Sequence, residues 1–65
     1  MKTLWIARDR NNHLGLFSFP PNRLKNIDKF SKNYEIYELE EEDYPSVTWE
    51  NSPLEVELKL KERNG

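Results

Sequence analysis

Apolar and charged residues alternate without a fault over Leu54-Glu55-Val56-Glu57-Leu58-Lys59-Leu60-Lys61. Glu55 to Lys59 and Glu57 to Lys61 are spaced to form helical ion pairs, each worth about 0.2–0.5 kcal/mol. A helix, however, turns about 100° per residue, so it would split the four apolar side chains between two sides. A strand gathers them on one face, where burial of each contributes about 1.5–3 kcal/mol. Packing outweighs the ion pairs, and the pattern predicts a half-buried strand over 54–61.

Lys2 to Arg8 reads as a second strand, with Leu4 and Ile6 on one face and Thr3, Trp5 and Ala7 on the other. Asp9-Arg10-Asn11-Asn12-His13 reads as a loose turn, because Asn and Asp tolerate left-handed backbone and no Asn-Gly or Asp-Gly marks a tight hairpin. Leu14 to Phe19 is the return strand, with Leu14 and Leu16 facing one way and Gly15, Phe17 and Phe19 the other. Both faces of this hairpin carry large apolar groups, unlike a sheet with one wet side. The hairpin is therefore covered twice within the chain, for instance by Leu24 to Phe30, or it presents one face to a partner through Trp5, Phe17 and Phe19.

Pro20-Pro21 ends the strand. Over Asn22 to Ser31, the spacing of Leu24, Ile27 and Phe30 fits a short helix, whereas Asn22, Asn26 and Asn33 fit an ordered loop. Tyr34 to Leu39 is rich in strand formers. Strict alternation puts Glu35, Tyr37 and Leu39 on one face and Tyr34, Ile36 and Glu38 on the other. Glu40-Glu41-Glu42-Asp43 reads as an exposed loop, and Pro45 is expected to hold Tyr44 extended. Pro45 to Thr48 reads as a helical turn, or Val47 and Trp49 begin a short strand. Glu50-Asn51-Ser52-Pro53 is a turn leading to the terminal strand. Arg63-Asn64-Gly65 is expected to fray.

The fold class that follows is mainly β: a small antiparallel sheet of three to four strands with at most one short helix, and α+β as the alternative. The 65 residues suffice for one small domain, 1–65. Such a domain buries only about 60% of its unfolded surface. With no Cys and one His, neither a disulfide nor a thiolate metal site supplements that core. Self-association is the remaining route to extra stability. Leu4-Trp5-Ile6-Ala7 is too short for a signal sequence, and no apolar run approaches the roughly 18 residues of a membrane span. The expectation is a cytoplasmic protein with no membrane partner.

Net charge is −2, but its two signs are separated. Residues 1–33 carry seven basic groups and two acids, and residues 34–65 carry three basic groups and ten acids. Separated charge suits pairing across one sheet or across a dimer, and also suits a basic nucleic-acid surface or an acidic mimic of one.

The pieces Trp5-Ile6-Ala7-Arg8-Asp9, Leu16-Phe17, Tyr44-Pro45, Val47-Thr48-Trp49-Glu50, Pro53 and Glu55-Val56-Glu57-Leu58 appear in that order. In this the chain resembles a group of small uncharacterised proteins of gut bacteria and their mobile elements. Asn11-Asn12-His13 stands where that group more often has an Asp-Gly type turn, and residues 20–33 have no counterpart. The resemblance implies a bacterial origin and a compact β-rich domain. It implies no function and no site residues.

Chemistry is sparse. The acidic run lacks the alternating Asp spacing that wraps calcium, and His13 has no second His near it, so no metal site is expected. Asp28, His13 and Ser18 have no catalytic spacing, and no nucleophile elbow or phosphate-binding Gly-rich loop is present. No catalytic or cofactor-binding residue is assigned, no cofactor is expected, and the chain is read as a non-enzyme. Arg8, Arg10, Arg23, Lys25, Lys29 and Lys32 near Trp5, Phe17, Phe19 and Phe30 would suit single-stranded nucleic acid, which the acidic pI of about 5.3 opposes. The favoured reading is a small binding protein acting through self-association as a homodimer, or through a protein partner whose identity the sequence does not give. Its candidate interface is Trp5, Phe17 and Phe19, since Trp and other aromatics suit interfaces. The alternative is a nucleic-acid-binding or acidic-mimic accessory protein of a mobile element.

Overall fold

The computed structural model describes residues 2–58. The chain is mainly β. Strands β1 (Lys2–Arg8), β2 (Leu14–Phe17), β5 (Glu35–Leu39) and β6 (Leu54–Leu58) form one antiparallel sheet in the order β5-β2-β1-β6. Strands β3 (Arg23–Leu24) and β4 (Lys29–Phe30) form a separate two-stranded hairpin. The expected fraying of Arg63-Asn64-Gly65, and the strand beyond Leu58, lie outside the described residues.

β1, β2, β5 and β6 lie within the segments that the pattern marks as strands, although β2 stops at Phe17, short of the expected Phe19. Ile6 lies opposite Leu16 and Arg8 opposite Leu14, while Leu4 lies opposite Val56 and Ile6 opposite Leu54. Leu4, Ile6, Leu14 and Leu16 thus supply the apolar face that the terminal strand requires. Ile6, Leu14 and Val47 are buried together there, with Leu16 and Leu39 packed against them.

The second apolar face of the first hairpin is covered from within the chain. Ala7, Phe17 and Phe30 are buried against one another, and Trp5 and Trp49 close over them. Phe30 comes from the β3–β4 hairpin, so residues 22–31 form neither a helix nor an irregular loop. Leu24 and Phe30 sit in facing strands, while Ile27 is exposed on the turn between them. The turn closes through Ile27 N donating to Leu24 O at 3.2 Å, and Asp28 takes a left-handed φ of 56° there. The i, i+3, i+6 spacing resembled a helix face, but two strand residues around a four-residue turn give the same spacing.

Residues 40–52 run from the end of β5 to the start of β6, passing the end of β1. The loop straddles the sheet: Val47 packs on the Ile6 face and Trp49 on the Phe17 face. The segment 45–49 forms turns, with neither helix nor strand. Tyr44 is not extended. It has a φ of 51° despite Pro45, and its carbonyl accepts a 2.9 Å bond from Val47 N. Two hydrogen-bonded demands on that carbonyl offset the preference that a following proline imposes. The Ser52–Pro53 bond that leads into β6 is cis.

Arg8 holds this loop. It is 7% exposed, and all five guanidinium N–H groups meet backbone carbonyls. Nε donates to Val47 O at 2.6 Å, Nη1 to Asn12 O at 3.1 Å and Glu41 O at 3.0 Å, and Nη2 to Asp43 O at 2.9 Å and Tyr44 O at 3.3 Å. Asp9, 2% exposed, does the same for the opposite cover. Its carboxylate accepts from Phe30 N at 2.8 Å and Lys32 Nζ at 2.7 Å. Alternation puts these adjacent side chains on opposite sides, so one dipeptide ties down both layers.

Arg8→Lys keeps the charge but has three donors in place of five, and we expect a loss of about 2 kcal/mol in urea unfolding. Arg8→Ala should cost more, about 3–5 kcal/mol, because buried carbonyls lose their partner. Arg8→Lys unfolding at the wild-type urea concentration would contradict this account.

Candidate binding surface

The three aromatic residues singled out from sequence have different fates. Phe17 is fully buried. It stands beside Trp5 in the β1–β2 register, and Trp5 is half-buried over the same cluster. Phe19 alone of the three is exposed.

Part of the cation–aromatic interleaving read from sequence is internal. The Arg23 guanidinium lies 4.3 Å from the Trp49 ring centre and 5.1 Å from that of Phe30. Trp49 meets Phe30 edge-on at 5.2 Å. Arg23 also donates to Ser52 O at 2.7 Å. This stack joins the β3–β4 hairpin to the 40–52 loop. Arg8 is committed to carbonyls, Lys32 to Asp9, and Arg10 lies 3.6 Å from Asp28.

The exposed aromatics collect at the free edge of the sheet formed by β5. Phe19 and Tyr34 stack edge-on with ring centres 5.0 Å apart, held by Ser18 N donating to Tyr34 O at 3.0 Å. Phe19 is 58% exposed, Tyr34 53%, Ile36 52% and Tyr37 64%. Sequence reasoning named Phe19 and missed the other three, since Tyr and Ile in a strand ordinarily signal packing. The signal available was position: a strand flanked by an acidic run is a natural edge.

A bulge shapes this edge. Leu16 pairs with Tyr37 but Phe17 with Glu35, leaving Ile36 unopposed. Strict alternation over 35–39 therefore fails, and Glu35 shares a side with Glu38. Both carboxylates meet His13: Nε2 lies 2.8 Å from Glu35 Oε2, and Nδ1 lies 3.3 Å from Glu38 Oε2. The trio closes on itself, fastening β5 to the first turn. Among the described residues, no group of three or more His, Cys, Asp or Glu side chains is arranged to hold a metal ion.

Two concavities adjoin these elements. A cleft of about 350 Å³ lies between Arg8, Arg10, Glu41, Thr48 and Trp49. An apolar groove of about 250 Å³ lies between Leu4, Leu16, Leu39, Tyr44 and Val56. Among the described residues, no helix is long and apolar enough to cross a membrane. Comparison with protein families, curated proteins and solved structures finds no match to this chain.

Gly15 reports on the His13 clamp. A Cβ there would collide with Glu35 Oε2 and would sit 3.1 Å from the Phe17 ring. Gly15→Ala should displace Glu35 from His13 and cost about 1–3 kcal/mol. In a Glu35→Ala background the same change should be close to neutral, because Gly in a strand interior is itself unfavourable by about 0.5–1 kcal/mol. Equal costs in both backgrounds, measured by thermal unfolding, would show that Glu35 is not the obstacle.

Proposed function

We propose that this chain is a small binding protein that works through protein–protein contact, with self-association as its first expression. The observation that carries this reading is the cluster of Phe19, Tyr34, Ile36 and Tyr37, each more than half exposed along one sheet edge. Exposed apolar groups gathered in one place mark interaction surfaces more often than chance does. An open strand edge adds unpaired backbone donors and acceptors beside them. The candidate interface accordingly moves from Trp5 and Phe17, which are engaged within the chain, to Phe19 and its neighbours. A nucleic-acid surface is less well supported, since Arg8, Arg23 and Lys32 are already engaged inside the chain.

Sedimentation of the wild type over a wide concentration range tests the reading. We expect the mass to rise towards twice that of one chain. We expect the double variant Phe19→Ser, Tyr34→Ser to stay monomeric with an unfolding temperature within a few degrees of wild type, because both side chains are exposed. A wild type that remains monomeric at the highest concentration overturns self-association.

A further inference from the structure

We infer that the apolar groove on the Ile6 face of the sheet is a docking site for one aliphatic side chain on a basic segment of another protein. This rests on the protein-contact reading above and adds a second surface to it, one that does not depend on self-association.

The 40–52 loop covers this face through Val47, which packs on Ile6 and Leu14. Beside that contact the groove crosses all four strands, from Leu39 on β5 through Leu16 on β2 and Leu4 on β1 to Val56 and Glu57 on β6, with Tyr44 from the loop. On the opposite face, Trp5 and Trp49 close over Phe17 and Phe30. The groove volume of about 250 Å³ falls below the roughly 300–1,000 Å³ of pockets that enclose small molecules. It suits one large side chain better than a cofactor. A branched aliphatic group seated against Leu4, Leu16 and Val56 would leave water for apolar surroundings, which is the driving force for docking.

Charge beside the groove selects the neighbours of that side chain. Glu57 lines it, and Tyr44 directly follows Glu40-Glu41-Glu42-Asp43. None of these five acids meets a cation in an ion pair among the described residues, and no Lys or Arg lines the groove. Complementary potential steers the right partner in, and like charge turns wrong partners away. Lysines or arginines flanking the docked residue complement these acids. An acidic segment, a nucleic-acid backbone and an anionic lipid surface are all repelled. The chain holds one exposed aliphatic residue between lysines of its own, Ile27 in Lys25-Asn26-Ile27-Asp28-Lys29. Its hairpin packs on the other face of the sheet, so it is out of reach of its own groove. In a second copy it would bring Asp28 against the acidic rim, which makes it the poorer occupant.

The test is a titration of the wild-type protein with the blocked peptide Lys-Lys-Leu-Lys-Lys, followed through the Leu, Ile and Val methyl signals by NMR. We expect saturable shifts at Leu4, Leu16 and Val56. The peptide Lys-Lys-Ser-Lys-Lys should bind at least about tenfold more weakly, and Glu-Glu-Leu-Glu-Glu should leave the spectrum unchanged. Glu57→Lys, an exposed substitution, should weaken the basic peptide several-fold, whereas Glu50→Lys, also exposed and outside the groove, should not. An equal response to the acidic peptide, no response to any peptide, or shifts at Ile36 in place of the groove methyls overturns the docking site while leaving contact at the β5 edge standing. Groove shifts that appear on concentrating the protein alone assign the groove to a second copy and overturn the foreign partner. Sedimentation decides self-association separately, and a monomeric wild type leaves the peptide result decisive for the groove.

Discussion

Five carbonyl oxygens around one buried guanidinium fix the loop after β5 to the end of the first hairpin. Among the described residues, Arg8 has no carboxylate partner. Its charge is met by the dipoles of Asn12, Glu41, Asp43, Tyr44 and Val47. A buried cation is tolerable only when its donors are fully used, and no buried side-chain polar atom among the described residues lacks a partner. The loop after β5 is acidic, yet it meets the cation through the backbone carbonyls of Glu41 and Asp43. The unusual backbone at Tyr44 follows from the same demand.

Asp9 completes the logic. A small β domain with two apolar faces needs two covers, and neither cover here is a regular layer. One is a loop and the other a hairpin with strands of two residues. Such pieces bring little packing of their own. They are held by a charged dipeptide at the end of β1 and are locked to each other by Arg23 between Trp49 and Phe30. The apolar contacts of Val47, Phe30 and Trp49 follow once these tethers set the position.

Much of this was legible in the residues. The strict alternation of 54–58 and the paired leucines of the first hairpin predict the sheet and its inner face. Mainly antiparallel β architecture follows from them. The β3–β4 hairpin was not legible, because a short turn between two apolar strand residues mimics helical spacing. The role of Arg8 was hidden for a different reason: its partners are backbone carbonyls, which leave no trace in side-chain chemistry. Aromatic identity pointed to Phe17 and Phe19 equally, and only the position of Phe30 separates the buried one from the exposed one. The bulge at Ile36 likewise changes which side of the sheet Glu35 occupies, and one extra residue in a strand has no compositional mark.

The distance along the chain between Arg8 and its cradle has a kinetic meaning. The guanidinium bonds residues 33 to 39 positions downstream, and Ser52, whose hydroxyl accepts from the Arg8 amide, is 44 away. β1 also pairs with β6 across nearly the whole described chain. Contacts of such long sequence separation make folding slow for a protein of this size, because loop closure must precede their reward. The β1–β2 hairpin is the more local pairing, and on its own it has neither the downstream carbonyls that meet Arg8 nor the Phe30 and Trp49 side chains that cover Phe17.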